Sequence, residues 1–155
     1  AATDIGYLTV GVGGPLAHWL GLPPLSGLQH PPVQMLGAVL AVMGILAVFG
    51  AQMALGASWR IGVDDHERTA LVTTGPFGWG RNPIFTAMLI FAAGITLMTP
   101  NPLALVAFVV LLATIELQVR VVEEPYLNAI HGQAYRDYCE TVGRFVPHIG
   151  RTRIV

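Results

Sequence analysis

Long apolar runs alternate along the chain with short polar junctions, and nearly every ionisable residue sits in a junction. From Val33 to Leu55 none is ionisable, and only Gln34 and Gln52 are strongly polar. A helix of about 20 apolar residues, rising 1.5 Å per residue, crosses ~30 Å of hydrocarbon. The pattern therefore predicts a spanning helix over 33–55. Two shorter runs, Pro83 to Thr99 and Pro102 to Val119, flank the turn Thr99-Pro100-Asn101-Pro102. Proline does not continue a helix, so this pair reads as a helical hairpin. Its arms are short for a bilayer, which local thinning accommodates.

Before the first clear span, Ile5 to Leu22 is apolar but carries Gly6, Gly11, Gly13, Gly14 and Pro15. It reads as a fourth span. A signal peptide is the rival, and no basic stretch precedes the segment. Leu22 to Pro32, with Pro23, Pro24, Pro31 and Pro32, is a loop. The expectation is one all-α membrane domain over 1–155, with about four transmembrane helices and a C-terminal amphipathic helix as a cytoplasmic cap.

Composition agrees: 54% of the residues are hydrophobic, 11% are charged and the mean hydropathy is +0.62, values that exclude an ordinary soluble domain of 155 residues. The basic residues are all arginine. They stand at 60, 68, 81, 120, 136, 144, 151 and 153, none before the first clear span and none in the 99–102 turn. Positive loops stay in the cytoplasm, so every arginine is assigned to that face. The expected location is a prokaryotic inner membrane. Cys139 is the single cysteine, which excludes an intrachain disulfide.

Two polar signatures bracket the hairpin: Gly75-Pro76-Phe77 to Arg81-Asn82-Pro83, and Arg120-x-x-Glu123-Glu124-Pro125. Two crossings return the chain to the face it left, so both belong to one surface. Pro83 suits a first helical turn, whose free N–H groups, with Arg81, would receive an anion such as a carboxylate. The competing role for Arg81 is lipid-interface anchoring by snorkelling.

Glu116 and Arg120, four apart, share a helix face and can pair. An ionisable residue at this depth is also a functional candidate, so catalysis and a structural ion pair stand as alternatives for Glu116. Glu123 and Glu124 point about 100° apart on a helix and so serve different partners, one a ligand and the other an arginine such as Arg120 or Arg81. Pro125 is expected to end the span.

Beyond it, Leu127, Ile130, Ala134, Tyr138 and Val142 at helical spacing predict one amphipathic helix over 126–142 lying on the membrane face. Tyr135 shares a side with Tyr138. Arg144 to His148 reads as a lid. The five histidines form no HExxH and no CxxC exists, so no protein metal site is expected. No phosphate-binding GxxxxGK[ST] or strand-borne GxGxxG occurs, which leaves a Rossmann-bound nucleotide unsupported. Without a basic aromatic face, nucleic acid is not an expected partner.

Leu71-Val72-Thr73-Thr74-Gly75-Pro76-Phe77, Arg81-Asn82-Pro83-Ile84-Phe85, Arg120-x-x-Glu123-Glu124-x-x-Leu127, Gly132-x-x-Tyr135-x-x-Tyr138 and Arg144-Phe145-x-Pro147 occur in that order. Together, over about 58–148, they resemble the isoprenylcysteine carboxyl methyltransferase and phospholipid methyltransferase superfamily. The resemblance implies an integral membrane enzyme that uses S-adenosylmethionine and releases S-adenosylhomocysteine. It places the cofactor at the cytoplasmic helix ends beneath the C-terminal segment. A lipophilic acceptor enters from the bilayer.

Carried over by motif, the cofactor pocket would take Gly75, Phe77, Arg81, Asn82, Pro83, Glu123, Glu124, Tyr135, Tyr138, Arg144 and Pro147. Arg120 would lie nearest the acceptor, with Glu123 and Glu116 as the other catalytic candidates. Two departures stand out: Asn82 replaces the histidine typical of prenylcysteine enzymes, and Thr69-Ala70 stand where those enzymes have another histidine. Two further readings are an NADPH-binding reductase relative and a non-catalytic membrane scaffold.

Overall fold

Each of the three long helices opens on a proline, where the missing N–H costs nothing and the fixed φ suits the first turn. The structure, a computed structural model, describes residues 23–56 and 70–152, together with positions 12, 13, 16 and 19–21. Most of Ile5 to Leu22, the expected fourth span, and the 57–69 segment, with Arg60, His66 and Arg68, lie outside the described residues. Helix α1 is Pro31–Leu55, α2 is Pro83–Met98 and α3 is Pro102–Gln118. These bounds match the expected spans to within two residues. Asn101 caps α3, its side-chain oxygen accepting from Ala104 N at 2.9 Å.

Pro125 does not end the third span. The chain widens into a π turn over Val119–Glu123 and continues as α4, Glu124–His131, giving one helical run from Pro102 to His131. Proline lacks an N–H and its ring clashes with the carbonyl four residues back. The π turn, in which Glu124 N reaches Val119 O, makes room for that ring. The expected single tail helix is also two: α4 stops at Gly132, whose φ of +53° lies in the left-handed region, and α5 runs Gln133–Thr141.

Among the described residues α1 and the Pro102–His131 run are long and apolar enough to cross a membrane. At 16 residues, α2 spans only about 24 Å. Much of the apolar surface is exposed, including Met35, Val39, Leu46 and Phe49 on α1 and Val106, Val109 and Val110 on α3. That distribution suits helices bathed in lipid. Contact between helices rests instead on small residues: α1 meets α2 through Gly37, Ala41 and Gly44.

Two clusters form the interior. Ala92 from α2 packs with Ala107, Leu111, Ile115 and Val119, supported by Phe85, Leu89 and Phe108. The other lies under the tail, where Tyr135, Tyr138 and Cys139 pack against Leu71, Leu127 and Val142. Tyr138 also donates its hydroxyl to Phe77 O at 2.5 Å, tying α5 to the 3₁₀ turn Gly75–Gly78. Tyr138→Phe leaves that buried carbonyl unpaired. Its expected effect is a loss of about 1–2 kcal/mol, read from the denaturant midpoint in detergent.

Candidate functional site

The hairpin returns Arg81 and Glu124 to the same end of the bundle, and Arg81 Nη2 donates to Glu124 Oε1 at 2.8 Å. Arg144, arriving from the tail, grips the same carboxylate with a two-pronged fork: Nε to Oε1 at 2.7 Å and Nη2 to Oε2 at 3.0 Å. The three side chains are 1%, 12% and 8% exposed for Arg81, Glu124 and Arg144. Glu124 thus spends both oxygens on arginines.

The tail is clamped in place from α2. Arg81 N donates to Gly143 O, and both the backbone and the side-chain nitrogen of Asn82 donate to Arg144 O at 3.1 Å. Thr86, one turn on, gives its hydroxyl to Phe145 O at 2.9 Å. Gly80 and Gly143 pair as an isolated parallel bridge. Arg81 Nη2 further donates to Gly150 O at 3.1 Å. Gly143 and Gly150, on either side of the Arg144 to His148 segment, thus bond Arg81, while the carbonyls of Arg144 and Phe145 hold that segment to Asn82 and Thr86.

The network continues towards the surface. Arg144 Nη1 stands 3.6 Å from Glu116 Oε1, and Glu116 pairs with Arg120, as its spacing predicted. Arg120 is 57% exposed, so charges alternate from buried Arg81 through Glu124, Arg144 and Glu116 to an exposed guanidinium. Three cations meet two carboxylates. Glu123 stays outside this line, half-buried, with Gln118 Nε2 at 3.4 Å from its Oε1. Its neighbour has taken the arginines, so the two carboxylates do serve different partners.

Of the other site candidates, Phe77 is buried and Gly75 turns the 3₁₀ segment at φ +61°, while Pro83 opens α2. Tyr135 is buried, edge-on to Tyr138 with ring centroids 6.3 Å apart. Pro147 is exposed and lines a separate groove beside Trp79. Thr86 was not anticipated, although a hydroxyl one turn after Asn82 on an otherwise apolar arm was the available signal.

Two nitrogens of Arg81, Nε and Nη1, are buried with no hydrogen-bond partner among the described residues. A buried guanidinium leaves such donors idle at considerable cost, and a carboxylate is the group that fits them. The amino-acid end of S-adenosylmethionine carries one. The described residues hold no group of three metal-ligating side chains.

Burial raises the phenols and the thiol around Arg81. Tyr138 is pushed up to about 12, Tyr135 rises well above its ordinary value and the Cys139 thiol also rises, desolvation being the leading cause for all three. A group whose folded pKa is raised stabilises the fold below its unfolded pKa and loses that contribution as pH climbs through the folded value. Their ordinary values are 9.0 for the thiol and 10.0 for the phenols. Stability in urea should therefore be level from neutrality to about pH 8 and fall from about pH 9 upwards. A stability that rises over the alkaline window would contradict this.

The family profile for phospholipid methyltransferases matches residues 33–134. Protein-S-isoprenylcysteine O-methyltransferase A of Arabidopsis thaliana is 31% identical over 123 residues, which cover 78% of this chain and 62% of that protein. The protein-S-isoprenylcysteine O-methyltransferase of Saccharomyces cerevisiae is 31% identical over 116 residues, covering 74% of this chain and 48% of its own length. The chain thus spans less than two thirds of these relatives. In three dimensions it is similar to a eukaryotic intramembrane Ras methyltransferase, an isoprenylcysteine carboxyl methyltransferase, with a TM-score of 0.71 at 22% identity over 95% of this chain and 52% of that one. That likeness establishes the helical membrane fold.

Proposed function

Because the chain belongs to the phospholipid methyltransferase family, we propose that it transfers a methyl group from S-adenosylmethionine to a carboxylate on a lipophilic, membrane-borne acceptor. The observation that carries this reading is the buried Arg81–Glu124–Arg144 cluster with two idle arginine N–H donors. S-adenosylmethionine supplies an electrophilic methyl on a sulfonium. Arg81 receives its carboxylate, and Glu124 holds Arg81 and Arg144 at fixed positions. Glu123, whose carboxylate no arginine occupies among the described residues, binds the ammonium or the ribose.

Arg120 orients the acceptor from the exposed end of the charge line. An excess of one cation over the carboxylates of that line suits an anionic acceptor, and the names of the plant and yeast relatives point the same way. A carboxylate attacks without a general base, so Glu116 serves to hold Arg120 rather than to remove a proton. In-line displacement asks the protein to position the two partners and to exclude water; the clamped tail over Arg81 does both. The one-sided distribution of arginines supports a site on the cytoplasmic face, that of a prokaryotic inner membrane.

Calorimetry of the detergent-solubilised protein tests the cofactor assignment. S-adenosylhomocysteine should bind and NADPH should not, with Arg81→Lys weakening binding at least ~10-fold through loss of the planar fork. Binding of NADPH alone would support a reductase relative instead.

A further inference from the structure

We propose that the groove between Trp79 and the Pro147–Arg151 turn binds the phosphate of an anionic phospholipid, held as a bound ligand and not as a methyl acceptor. The groove has a volume of about 380 Å³ and includes Trp79, Val142, Pro147, His148 and Arg151 in its lining. Among the described residues its lining contains an arginine and a histidine but no carboxylate. Arg81, Arg120 and Arg144 are each engaged by a glutamate. The Arg151 guanidinium instead leans on His148, Nη2 donating to Nδ1. An imidazole that accepts at Nδ1 carries its proton on Nε2 when neutral, so it presents a second donor beside the remaining Arg151 N–H groups. The two together form a cradle for a tetrahedral anion.

The backbone carries a matching signal. His148 has φ +66°, among the described residues the single non-glycine residue on that side of the map, a conformation that L side chains disfavour. Such strain is retained where the surrounding structure holds a side chain to a task. Here it turns the imidazole to Arg151 at the mouth of the groove.

The groove's height selects a lipid. Trp79 lies four residues before Pro83, the first residue of the apolar helix α2, and so at the membrane boundary in the arrangement we propose. It is 76% exposed, and on the tail segment that carries Pro147 and His148, Ile149 and Val146 are 68% and 43% exposed. Indole and aliphatic side chains mixed with cations are the composition of a headgroup zone, where the aromatic body is half-immersed and the cations meet phosphates. A soluble anion would have no use for this apolar rim. The turn that carries His148 and Arg151 also supplies Gly150 O to Arg81, so a lipid seated here would press down the cover of the buried site. The inference needs the membrane location but not methyl transfer.

Native mass spectrometry of protein released from nanodiscs of mixed phosphatidylcholine and phosphatidylglycerol tests it. The parent should retain phosphatidylglycerol in preference to phosphatidylcholine. Arg151→Gln should lower that retention about five-fold and Arg151→Lys should largely keep it, while Arg136→Gln, outside the groove, should leave it unchanged. Trp79→Ala should lower retention of both lipids. Equal retention of the two headgroups, or parental retention by Arg151→Gln, would overturn the proposal. So would displacement by inorganic phosphate, which assigns the groove to a free anion, or by S-adenosylhomocysteine, which assigns it to the methyl donor.

Discussion

Glu124→Gln is expected to abolish measurable binding of S-adenosylhomocysteine and to destabilise the protein by about 3 kcal/mol. Glutamine keeps the volume but removes the one charge that two buried arginines share. Arg81 and Arg144, 1% and 8% exposed, are then left facing each other as like charges with little water to screen them. Breaking a buried pair by removing one partner costs far more than the pair contributes against an apolar replacement. For a chain of this size the loss corresponds to a fall of roughly 10 °C in melting temperature. Thermal unfolding in detergent, with calorimetry on the same sample, reads both effects. Arg120→Gln is the contrast, since its guanidinium is 57% exposed and should leave the melting temperature almost unmoved.

The second large effect lies in the membrane, far from any charge. A β-carbon at Gly94 would stand 2.5 Å from Ala41 N and 2.6 Å from Gly37 O. Both obstacles are backbone, so neither can rotate away, and α1 must separate from α2. Between helices in lipid no hydrophobic force compensates, because lipid tails cover apolar surface as well as a neighbouring helix does. Gly94→Val should therefore cost about 3 kcal/mol, at the upper end of overpacking effects. Gly50→Val on α1 is the control, since nothing lies within 4 Å of its β-carbon. Unfolding midpoints in detergent should fall for the first variant and stay for the second.

Much of this architecture was legible because membrane spans are written in an unusually plain code. Length and the absence of charge located α1, α2 and α3, and proline marked the starts of α2 and α3, whereas Pro31 and Pro32, read as loop, open α1. What periodicity could not show was the course after Arg120. A proline in a helical pattern reads as a stop, yet the preceding π turn absorbs it and carries Glu124 to the two arginines. Gly132 was visible in the sequence, but only its positive φ divides the tail.

The candidate site was legible in part for a related reason. The spacing of Glu116 and Arg120 is local, so a helix alone predicts the pair. Arg144 on Glu124 spans twenty residues and several turns, and the clamp from Asn82 and Thr86 to the tail carbonyls joins segments some sixty residues apart. Such contacts depend on how the tail folds back, which no local pattern encodes. The resemblance of motifs brought Arg144 into the candidate set, and the geometry gives it a partner.

Methyl transfer to a carboxylate leaves an ester, and an ester releases methanol in alkali, whereas N- and S-methyl products hold their label. The most direct measurement supplies S-adenosylmethionine with an isotopically labelled methyl group to the reconstituted protein and a prenylated cysteine carboxylic acid. Organic-extractable label that becomes volatile in base should appear with the parent and be absent with Glu124→Gln. Alkali-stable label, or label that Glu124→Gln incorporates as fast as the parent, would contradict the proposed methyl transfer.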